Sequence, residues 1–361
     1  MPIPHKKRFS RNGYLPSREV KTMRVYKIAL CLLSLLGIAA CGHAIEQFDL
    51  SGESMGTTYK VKVIGKRIDT SELKQKIEDE FEKINNQMST WQKNSEISRF
   101  NRDQTIDWFK ISDEFMLVLD ASQKINRQTE GAFDVTVGGI VNLWGFGSSP
   151  RRSKVPEPDA IVERLSHVGP ATFEINLSTV SIRKFDPKTQ LDLSGIAKGY
   201  AVDAVVEILA EAKIKDFLVE IGGEVRAAGR RLDESAWRVA IEKPVNQSRS
   251  ILLTVSLEDA ALATSGDYRD YFEIGVKRYS HIIDPRTGNP PDNSVASVSV
   301  VSDEAMYADA LATGLMVLGT DKALALAAKN NLAVMIIERE GSRFRVFQSN
   351  AFEALHSIQS H

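Results

Sequence analysis

Two segments of the sequence share the order helix, strand, glycine-containing turn and strand, and this repeat constrains the fold more than any other feature. The first runs from "LDLSGIAKGYAVDAVVEILAEAKI" into "DFLVEIGGEVRAAGRR", and the second from "YADALATGLMVLGTDKALALAAKN" into "NLAVMIIEREGSRFRVFQ". Both place apolar residues at helical spacing before two β-type runs. The pattern predicts an α+β fold with duplicated α-β-β units around a mixed, largely antiparallel sheet.

Three further elements are predicted upstream. Residues 48–64 alternate toward their end and indicate an edge or hairpin strand. A helix from about Asp113 to Gln128 has Ser112 at its N-cap position and acidic residues in its first turn. The stretch "DTSELKQKIEDEFEKINNQMSTW" begins with cap-type residues and is predicted to be an amphipathic helix with apolar side chains at helical spacing: Leu73, Ile77, Phe81, Ile84 and Met88.

The N-terminal region is typical of an exported protein. After Met23, two basic residues precede an apolar stretch over residues 28–40, which is too short to span a membrane comfortably. The stretch ends in "IAAC", a pattern that a lipoprotein signal peptidase accepts, so Cys41 is predicted to be the lipidated first residue. An ordinary secretory signal cut nearby is the alternative. Gly42 is not the Asp that often marks inner-membrane retention, which favours the periplasmic face of a bacterial outer membrane.

Charge and cysteine content narrow the function. The chain has 46 Lys and Arg and 47 Asp and Glu, but residues 1–41 hold eight basic residues and one acidic residue, which leaves 38 basic and 46 acidic residues downstream. Such an acidic body argues against nucleic acid as a partner. Both cysteines, Cys31 and Cys41, belong to the leader, so no disulfide is expected. We expect an N-terminal extension and lipoprotein signal peptide in residues 1–40 and one domain in residues 41–361.

Candidate metal ligands open the second repeated helix. Asp309 and Thr313 are four residues apart, so they lie on one helix face, one turn apart. A carboxylate and a hydroxyl are oxygen donors that suit Mg²⁺, which keeps its other positions for water and phosphate. The alternative is that Asp309 only caps the helix or interacts with its dipole, and that the hydroxyl of Thr313 has a structural partner.

The first repeated helix opens with an anion-binding pattern. In "DLSGIAKGY", Ser194 and Gly195 form a turn into a helix that carries Lys198 in its first turn. The N–H groups of such a helix terminus favour anions, and the lysine adds a full charge. If the repeat is real, both helix N-termini converge on one phosphate-bearing ligand. A capped helix with a solvated lysine is the alternative.

The stretch "SHIIDPRTG" contains a candidate base. Of the six histidines, only His167 and His281 lie in the body of the chain, too few for a histidine-rich metal site. We interpret His281 as a proton acceptor or an orienting donor, with structural hydrogen bonding as the alternative. Asp284 is predicted to hold a tight turn in which Gly288 has a positive φ.

Eight stretches, in this order, resemble the ApbE family, the FAD:protein FMN transferases. They span about residues 50–320 and depart from the family pattern only slightly, with Ser194, Gly139 and Trp91 where the family often has Gly, Pro and Tyr. The resemblance implies an ApbE-type fold with T-fold-like repeated units. The stretches are "SMGTTY", "MSTWQKNSEISRFN", "GAFDVTVGGIVNLWGFG", "DLSGIAKGYAVD", "VEIGGEVRAAG", "ATSGDYRDYF", "SHIIDPRTG" and "DALATGLMVLG".

The resemblance also implies a reaction. FAD would be the substrate, and its FMN half would move onto a Thr or Ser hydroxyl of a target protein as a phosphoester, with release of AMP. His281 would accept the hydroxyl proton, Asp284 would hold the turn that aims it, and Lys198 would offset charge on the leaving AMP. The targets would be flavin-carrying subunits of redox-driven membrane pumps, such as sodium-translocating NADH:quinone oxidoreductase and Rnf-type complexes. An Mg²⁺-dependent FAD pyrophosphatase and a non-catalytic FAD-binding lipoprotein are the alternatives.

Ligand positions follow from the same resemblance. Mg²⁺ would bind Asp309, Thr313 and the main-chain oxygen of Ala197. Ala312, in the same turn as Thr313, would contribute its carbonyl. The residues that fall where the family contacts FAD are Met55, Trp91, Ala132, Phe133, Asp134, Ser194, Tyr200 and Ile283. Taken singly, each of the short stretches that carry Met55, Trp91 and Phe133 is typical of a core.

Overall fold

Most strands of the protein join one antiparallel sheet. The computed structural model describes residues 44–149, 153–245, 250–268, 270–275, 277–341 and 343–357. In chain order the strands are β1 (Glu46–Ser54), β2 (Thr57–Gly65), β3 (Phe109–Lys110), β4 (Phe173–Asn176), β5 (Ser181–Lys184), β6 (Asp216–Ile221), β7 (Glu224–Ala228), β8 (Trp237–Glu242), β9 (Ile251–Leu257), β10 (Ala260–Gly266), β11 (Tyr271–Ile274), β12 (Lys277–Ser280), β13 (Val295–Ser302), β14 (Ala333–Glu340) and β15 (Arg343–Gln348).

The main sheet has eight strands in the order β1-β2-β6-β7-β10-β13-β14-β15. Every pairing between these neighbours is antiparallel, so the mixed character that the sequence suggested is not observed in this sheet. Three smaller sheets have the strand orders β3-β5-β4, β8-β9 and β11-β12. The α+β prediction with a largely antiparallel sheet is confirmed.

Most of the helices that pack on the main sheet lie on one of its faces. A short 3₁₀ helix, Pro170–Thr172, precedes β4. The α-helices are α1 (Thr70–Met88), α2 (Glu96–Arg102), α3 (Asp113–Gln128), α4 (Gly138–Trp144), α5 (Pro158–Leu165), α6 (Ala197–Glu211), α7 (Ala305–Leu318), α8 (Thr320–Asn330) and α9 (Asn350–Ser357).

The elements predicted upstream are confirmed. β1 and β2 form the predicted hairpin, whose turn consists of Met55 and Gly56, both with positive φ. The five apolar side chains predicted for α1 are all buried. Helix α3 has the predicted bounds, and the hydroxyl of Ser112 accepts a hydrogen bond from the N–H of Phe115 as its N-cap. Local periodicity and capping residues were enough to define these elements.

The two repeated segments differ in their helical parts. The first is α6 followed by the antiparallel pair β6 and β7, and the second ends in the antiparallel pair β14 and β15. In the second segment, the chain breaks at Gly319 into two helices, because Gly319 has a positive φ of 78°. The hairpins are therefore as predicted, whereas an internal duplication of the whole unit remains a prediction.

The sheet separates two apolar layers, since alternate residues of a strand point to opposite faces. In β10, Ala261 and Ala263 belong to the helix-side core, and Leu262 belongs to the opposite layer. The helix side is packed mainly with α1, α3, α6 and α7. The opposite side is covered by the β8–β9 ribbon and α9, which contribute Trp237 and Phe352 to the second layer. Helices α6 and α7 are thereby held side by side on the sheet.

The predicted leader, including Cys41, lies outside the described residues. From Ile45 onward, the described residues belong to one compact unit. None of the helices in the described ranges is both long enough and apolar enough to cross a bilayer.

Candidate active site

Most predicted site residues converge on one cleft of about 920 Å³. Its walls come from the β1–β2 turn, the end of α1, the loops that precede α4 and α6, and one face of α7. The predicted residues that line it are Met55, Trp91, Ala132, Phe133, Asp134, Ser194, Ala197, Lys198, His281, Ile283, Asp309 and Thr313.

The predicted metal ligands meet where α6 and α7 are side by side. Asp309 is 3 % exposed, and its Oδ2 accepts a hydrogen bond of 3.0 Å from the N–H of Gly199 in the first turn of α6. The hydroxyl of Thr313 lies 3.0 Å from the hydroxyl of Ser265 at the end of β10. Ala197 lines the same cleft from α6. Two chain segments 110 residues apart thus bring these oxygen donors to one place.

A lysine and two buried carboxylates share the floor of the cleft. The Nζ of Lys198 lies 3.1 Å from Oε1 of Glu224 and 3.7 Å from Oδ2 of Asp309. Burial raises the pKa of Glu224 to about 7, with repulsion from Asp309 as the next cause. Burial also raises the pKa of Asp309, against the opposing effects of Lys198 and the Gly199 N–H. With both acids ionised, one ammonium leaves a net negative charge in the floor.

The donor set fits Mg²⁺. Asp309 and Thr313 present a carboxylate and a hydroxyl from one helix face, and hard oxygen donors are what this ion prefers. A divalent cation would also favour the ionised forms of the two buried carboxyl groups beside Lys198, whose pKa values burial raises. Among the described residues, no group of three or more His, Cys, Asp and Glu side chains could hold a metal. An ion in this cleft would therefore depend on hydroxyl and main-chain oxygens as well as on Asp309.

The ring of His281 is held in one tautomer on the cleft lining. The ring nitrogen Nδ1 of His281 lies 3.0 Å from the main-chain oxygen of Asp270, and the main-chain N–H of His281 donates to that same oxygen. A carbonyl can only accept, so Nδ1 carries the proton and Nε2 is the basic nitrogen of the neutral ring. Burial lowers the pKa of His281 below 6.5, so the neutral form dominates at pH 7. His281 lines the cleft together with the candidate metal ligands.

Asp284 lies in the predicted turn that follows His281 but does not itself line the cleft. Its main-chain oxygen accepts hydrogen bonds from the N–H groups of Thr287 and Gly288, and Gly288 has the predicted positive φ of 69°. Its carboxylate accepts two hydrogen bonds of 2.8 Å from the guanidinium of Arg286. The side chain of Asp284 therefore stabilises the turn.

An acidic residue and an aromatic ring form the wall that precedes α4. Asp134 is buried, and its carboxylate accepts hydrogen bonds from Thr136 and from the side chain of Asn126. The same side chain of Asn126 donates to the main-chain oxygen of Phe133. Burial raises the pKa of Asp134. These bonds fix the ring of Phe133 and the main chain around it at the edge of the cleft.

The mouth of the cleft carries an exposed aromatic side chain. Trp91 follows the end of α1 and is 70 % exposed, although it lines the cleft. Met55 lies nearby on the cleft lining, in the left-handed region with a φ of 52°, which is uncommon for a residue with a side chain. An indole this exposed is available to stack on a planar ligand.

Two other predicted residues do not line the cleft. Tyr200 is buried in the core beneath α6, and burial raises its pKa. Ala312 is fully buried in α7. Each lies within three residues of cleft-lining residues in its own helix, but neighbouring positions of a helix face different directions. The roles that the resemblance implied for Tyr200 and Ala312 remain predictions.

Three residues of the site were missed in the sequence. Glu224 belongs to the matching stretch "VEIGGEVRAAG", where an acidic residue that directly follows a glycine turn and opens a short strand was the available signal. Ser265 gave no signal, because its contact with Thr313 depends on how β10 lies against α7. Asp270 orients His281 through its main-chain oxygen, which no side-chain pattern reveals.

A buried lysine anchors the loop that leads into the cleft. Lys184 is 1 % exposed, and its Nζ donates to the main-chain oxygens of Asn101, Asp103 and Pro187. Burial lowers the pKa of Lys184 to about 8, so most of the ammonium is still protonated at pH 7. The side chain of Asn101 also exchanges two hydrogen bonds with the main chain of Leu191, next to the cleft-lining residues. This loop therefore depends on Lys184 for its position.

We expect Lys184→Met to lower the free energy of unfolding by about 3 kcal/mol, because several buried carbonyls lose a charged donor. FAD affinity should fall as well, since the loop before α6 loses its anchor. Chemical denaturation and flavin fluorescence titration measure the two effects. Lys188→Met is the matched control, because Lys188 is exposed and paired only at the surface. Equal stability of both variants would contradict the anchoring role of Lys184.

The fold and the cleft define an α+β protein whose site suits a large, phosphate-bearing, aromatic ligand. Comparison with known proteins agrees with this class. The ApbE family model matches residues 55–336. The chain is 44 % identical over 327 residues to the FAD:protein FMN transferase of Haemophilus influenzae, which covers 89 % of this chain and 94 % of that protein. The chain belongs to the ApbE family.

Solved structures of this family show the same fold. The flavin transferase ApbE from Vibrio cholerae superposes with a TM-score of 0.80 at 42 % identity, covering 86 % of this chain and 99 % of that chain. The flavinyl transferase ApbE of Pseudomonas stutzeri, in its apo form, gives a TM-score of 0.77 at 34 % identity, covering 87 % and 98 % of the two chains. The ApbE-type fold expected from the sequence is confirmed.

Proposed function

We propose that this protein transfers FMN from FAD to a Thr or Ser hydroxyl of target proteins. Membership of the ApbE family and the names of its relatives support this activity. The observation that carries it in this chain is the convergence of His281, Asp309 and Thr313 on one cleft. Phosphoryl transfer requires a group that accepts the proton of the attacking hydroxyl and a cation that compensates the phosphate charge, and oxygen ligands are what would hold such a cation.

Asp309, Thr313 and the main-chain oxygen of Ala197 would hold Mg²⁺. The bound ion would supply compensation for the negative charge of the FAD diphosphate. The support for this assignment is the pairing of these donors across α6 and α7, beside two buried carboxyl groups that share the ammonium of Lys198. Oδ2 of Asp309 accepts the Gly199 N–H, so Oδ1 would be the carboxylate oxygen that could hold the ion.

The reacting groups are an acceptor hydroxyl and the FMN phosphorus of FAD. The hydroxyl oxygen forms a bond to that phosphorus, and the bond from the phosphorus to the AMP oxygen breaks. Nε2 of His281 takes the hydroxyl proton, a step that contributes about 10²–10⁴-fold in enzymes. The main-chain oxygen of Asp270 holds the ring in the tautomer that leaves Nε2 free to accept this proton.

Lys198 would offset charge on the departing AMP. Its ammonium lies between two buried carboxylates, at the boundary between the metal ligands and the open cleft. A cation beside Asp309 would weaken the hold of that carboxylate on Lys198. While still paired with Glu224, the ammonium would lie on the cleft lining close enough to the metal ligands to interact with a phosphate oxygen, for which a lysine is an ordinary partner.

The flavin would lie in the part of the cleft that is lined by aromatic and apolar residues. Phe133 is fixed there by the Asn126 and Asp134 bonds, and Trp91 is exposed at the mouth. Met55 and Ile283 add apolar surface, and Ala132 and Ser194 add small groups that allow close approach. Such a mixture of planar, apolar and few polar groups is typical of sites for large cofactors.

The targets would be flavin-carrying subunits of redox-driven membrane pumps, such as NADH:quinone oxidoreductase or Rnf-type complexes. The mature chain would act on the periplasmic face of a bacterial membrane, with the outer membrane favoured, through a lipid on Cys41. The pattern "IAACG" supports this location. Metabolic labelling with a fatty acid, with Cys41→Ser as the control, tests the anchor.

The test of the proposed reaction is incubation of the protein with FAD, Mg²⁺ and a purified pump subunit. We expect a covalent flavin on the subunit, seen as fluorescence in a denaturing gel and as an added FMN mass, together with one AMP for each flavin. Free FMN without labelling would indicate hydrolysis of FAD instead. Absence of any AMP would indicate a protein that only binds FAD.

A further inference from the structure

Helices α6 and α7 both begin without a capping side chain of their own. The residues at their N-cap positions, Ile196 and Glu304, make no side-chain capping hydrogen bond. The first N–H groups of a helix have no partner within the helix, and buried ones need one. Helix α1 shows the ordinary solution, since the carboxylate of Asp69 accepts from the N–H groups of Ser71 and Glu72.

Each of the two helices receives its cap from the other. Oδ2 of Asp309 in α7 accepts the N–H of Gly199 in α6, at 3.0 Å. In return, the carboxylate of Asp203 in α6 accepts the N–H groups of Ala305 and Met306 in α7, at 3.0 and 2.8 Å. A carboxylate at a helix N-terminus is favourable both as an acceptor and against the helix dipole. The two helix starts are thus linked in both directions.

The helices are also in direct main-chain contact at this point. A Cβ on Gly199 would lie 2.3 Å from the main-chain oxygen of Ala305, so only glycine allows the observed approach. Close contact and two opposing caps leave the helices little freedom to slide along each other. The spacing between Ala197 on one helix and Asp309 on the other depends on this arrangement.

Asp203 is itself held in place from the sheet. Nη1 of Arg226 on β7 donates to Oδ1 of Asp203, at 2.8 Å. Glu224 lies two residues earlier on the same strand, hence on the same face, and pairs with Lys198 on α6. Strand β7 therefore holds Asp203 through Arg226 and Lys198 through Glu224. Unlike Glu224, Asp203 does not line the cleft.

We propose that Asp203 is a positioning residue for the metal site: by capping α7 from α6, it fixes Asp309 and Thr313 opposite Ala197. Asp203 touches neither the proposed ion nor FAD, so its effect is exerted through α7. This inference rests on the proposed function, because it concerns the same Mg²⁺ site. Residues that orient metal ligands typically change metal affinity by about 10–100-fold when replaced.

The experiment compares Mg²⁺ binding to the wild type, Asp203→Ala and Asp203→Asn by isothermal titration calorimetry. It is done without substrate, at a temperature at which circular dichroism shows every variant folded. Asp69→Ala is the matched control, because Asp69 also caps two N–H groups but at the end of α1 remote from the cleft. Thermal unfolding is recorded for all four proteins.

We expect Asp203→Ala to bind Mg²⁺ about 10–100-fold more weakly, with Asp203→Asn in between because it keeps an acceptor oxygen. Asp69→Ala should lower the melting temperature but keep the wild-type Mg²⁺ affinity. If Asp203→Ala loses stability yet binds Mg²⁺ like the wild type, Asp203 is only a structural cap. This inference then fails, while the proposed function stands. If the wild type takes up no Mg²⁺, the metal site of the proposed function fails with it. If Asp203→Ala does not fold, the affinity of Asp203→Asn decides.

Discussion

Asp309→Asn is expected to reduce Mg²⁺-dependent FMN transfer by about 10³-fold or more, with the fold retained. An ion that compensates transition-state charge contributes several kcal/mol, and about 1.4 kcal/mol corresponds to tenfold in rate. The variant keeps an acceptor oxygen for the Gly199 N–H, so α6 should keep its cap. The substitution also replaces a buried carboxyl group, whose pKa is raised by burial, with a neutral amide, so no loss of stability is expected.

Transfer by this variant is measured as AMP release and as covalent flavin on the target, over a range of Mg²⁺ concentrations. Asp321→Asn is the matched control, because Asp321 is an exposed carboxylate in the first turn of the neighbouring helix α8. It should leave transfer unchanged. An Asp309→Asn enzyme with wild-type transfer and wild-type Mg²⁺ dependence would exclude Asp309 as a metal ligand.

His281→Ala is expected to lower transfer by about 10²–10⁴-fold while FAD still binds. The ring is the proposed acceptor of the hydroxyl proton, whereas most residues proposed to contact FAD lie on other walls of the cleft. Flavin fluorescence titration measures binding, and single-turnover transfer measures the chemical step. His167→Ala is the matched control, since His167 pairs with Asp186 and Glu163 and does not line the cleft.

The rate of the wild-type enzyme should also depend on pH through His281. The base must be neutral to accept a proton, and burial lowers its pKa from the ordinary 6.5. The neutral fraction therefore rises with pH and is already high at pH 7, so transfer should be level above that pH and decline only at pH values below 6.5. This decline should be absent in His281→Ala. A wild-type rate that still rises steeply between pH 7 and 8 would point to another base.

The limits of sequence reasoning are clear from particular residues. Short motifs were enough to single out Asp309, Thr313 and His281, and the structure places all three on one cleft, where their roles remain predictions. Tyr200 fell within a matching stretch and yet lies in the core. Its position in the motif did not say which way the side chain faces once α6 is packed.

The repeated segments show the same limit at the level of elements. Both hairpins were predicted, since alternation and turn residues act over a few positions. The break at Gly319 was not predicted, because "LMVLGTDKALAL" keeps its helical periodicity across the glycine. An isolated glycine is compatible with either a continuous or an interrupted helix, and packing decides between them.

By itself, the sequence determined the α+β class, the bounds of α3, the buried face of α1 and a hairpin strand within residues 48–64. These features depend on periodicity, caps and turns, which act between residues close in the chain. Only the tertiary structure decided that Glu224 faces Lys198, and that Asp203 and Asp309 cap each other's helices across more than 100 residues. The physical reason is that the carboxylate of an Asp near a helix start can bind water, N–H groups of its own helix or N–H groups of a neighbouring helix, and the sequence is the same in all three cases. Its partner is fixed only when α6 and α7 meet at Gly199.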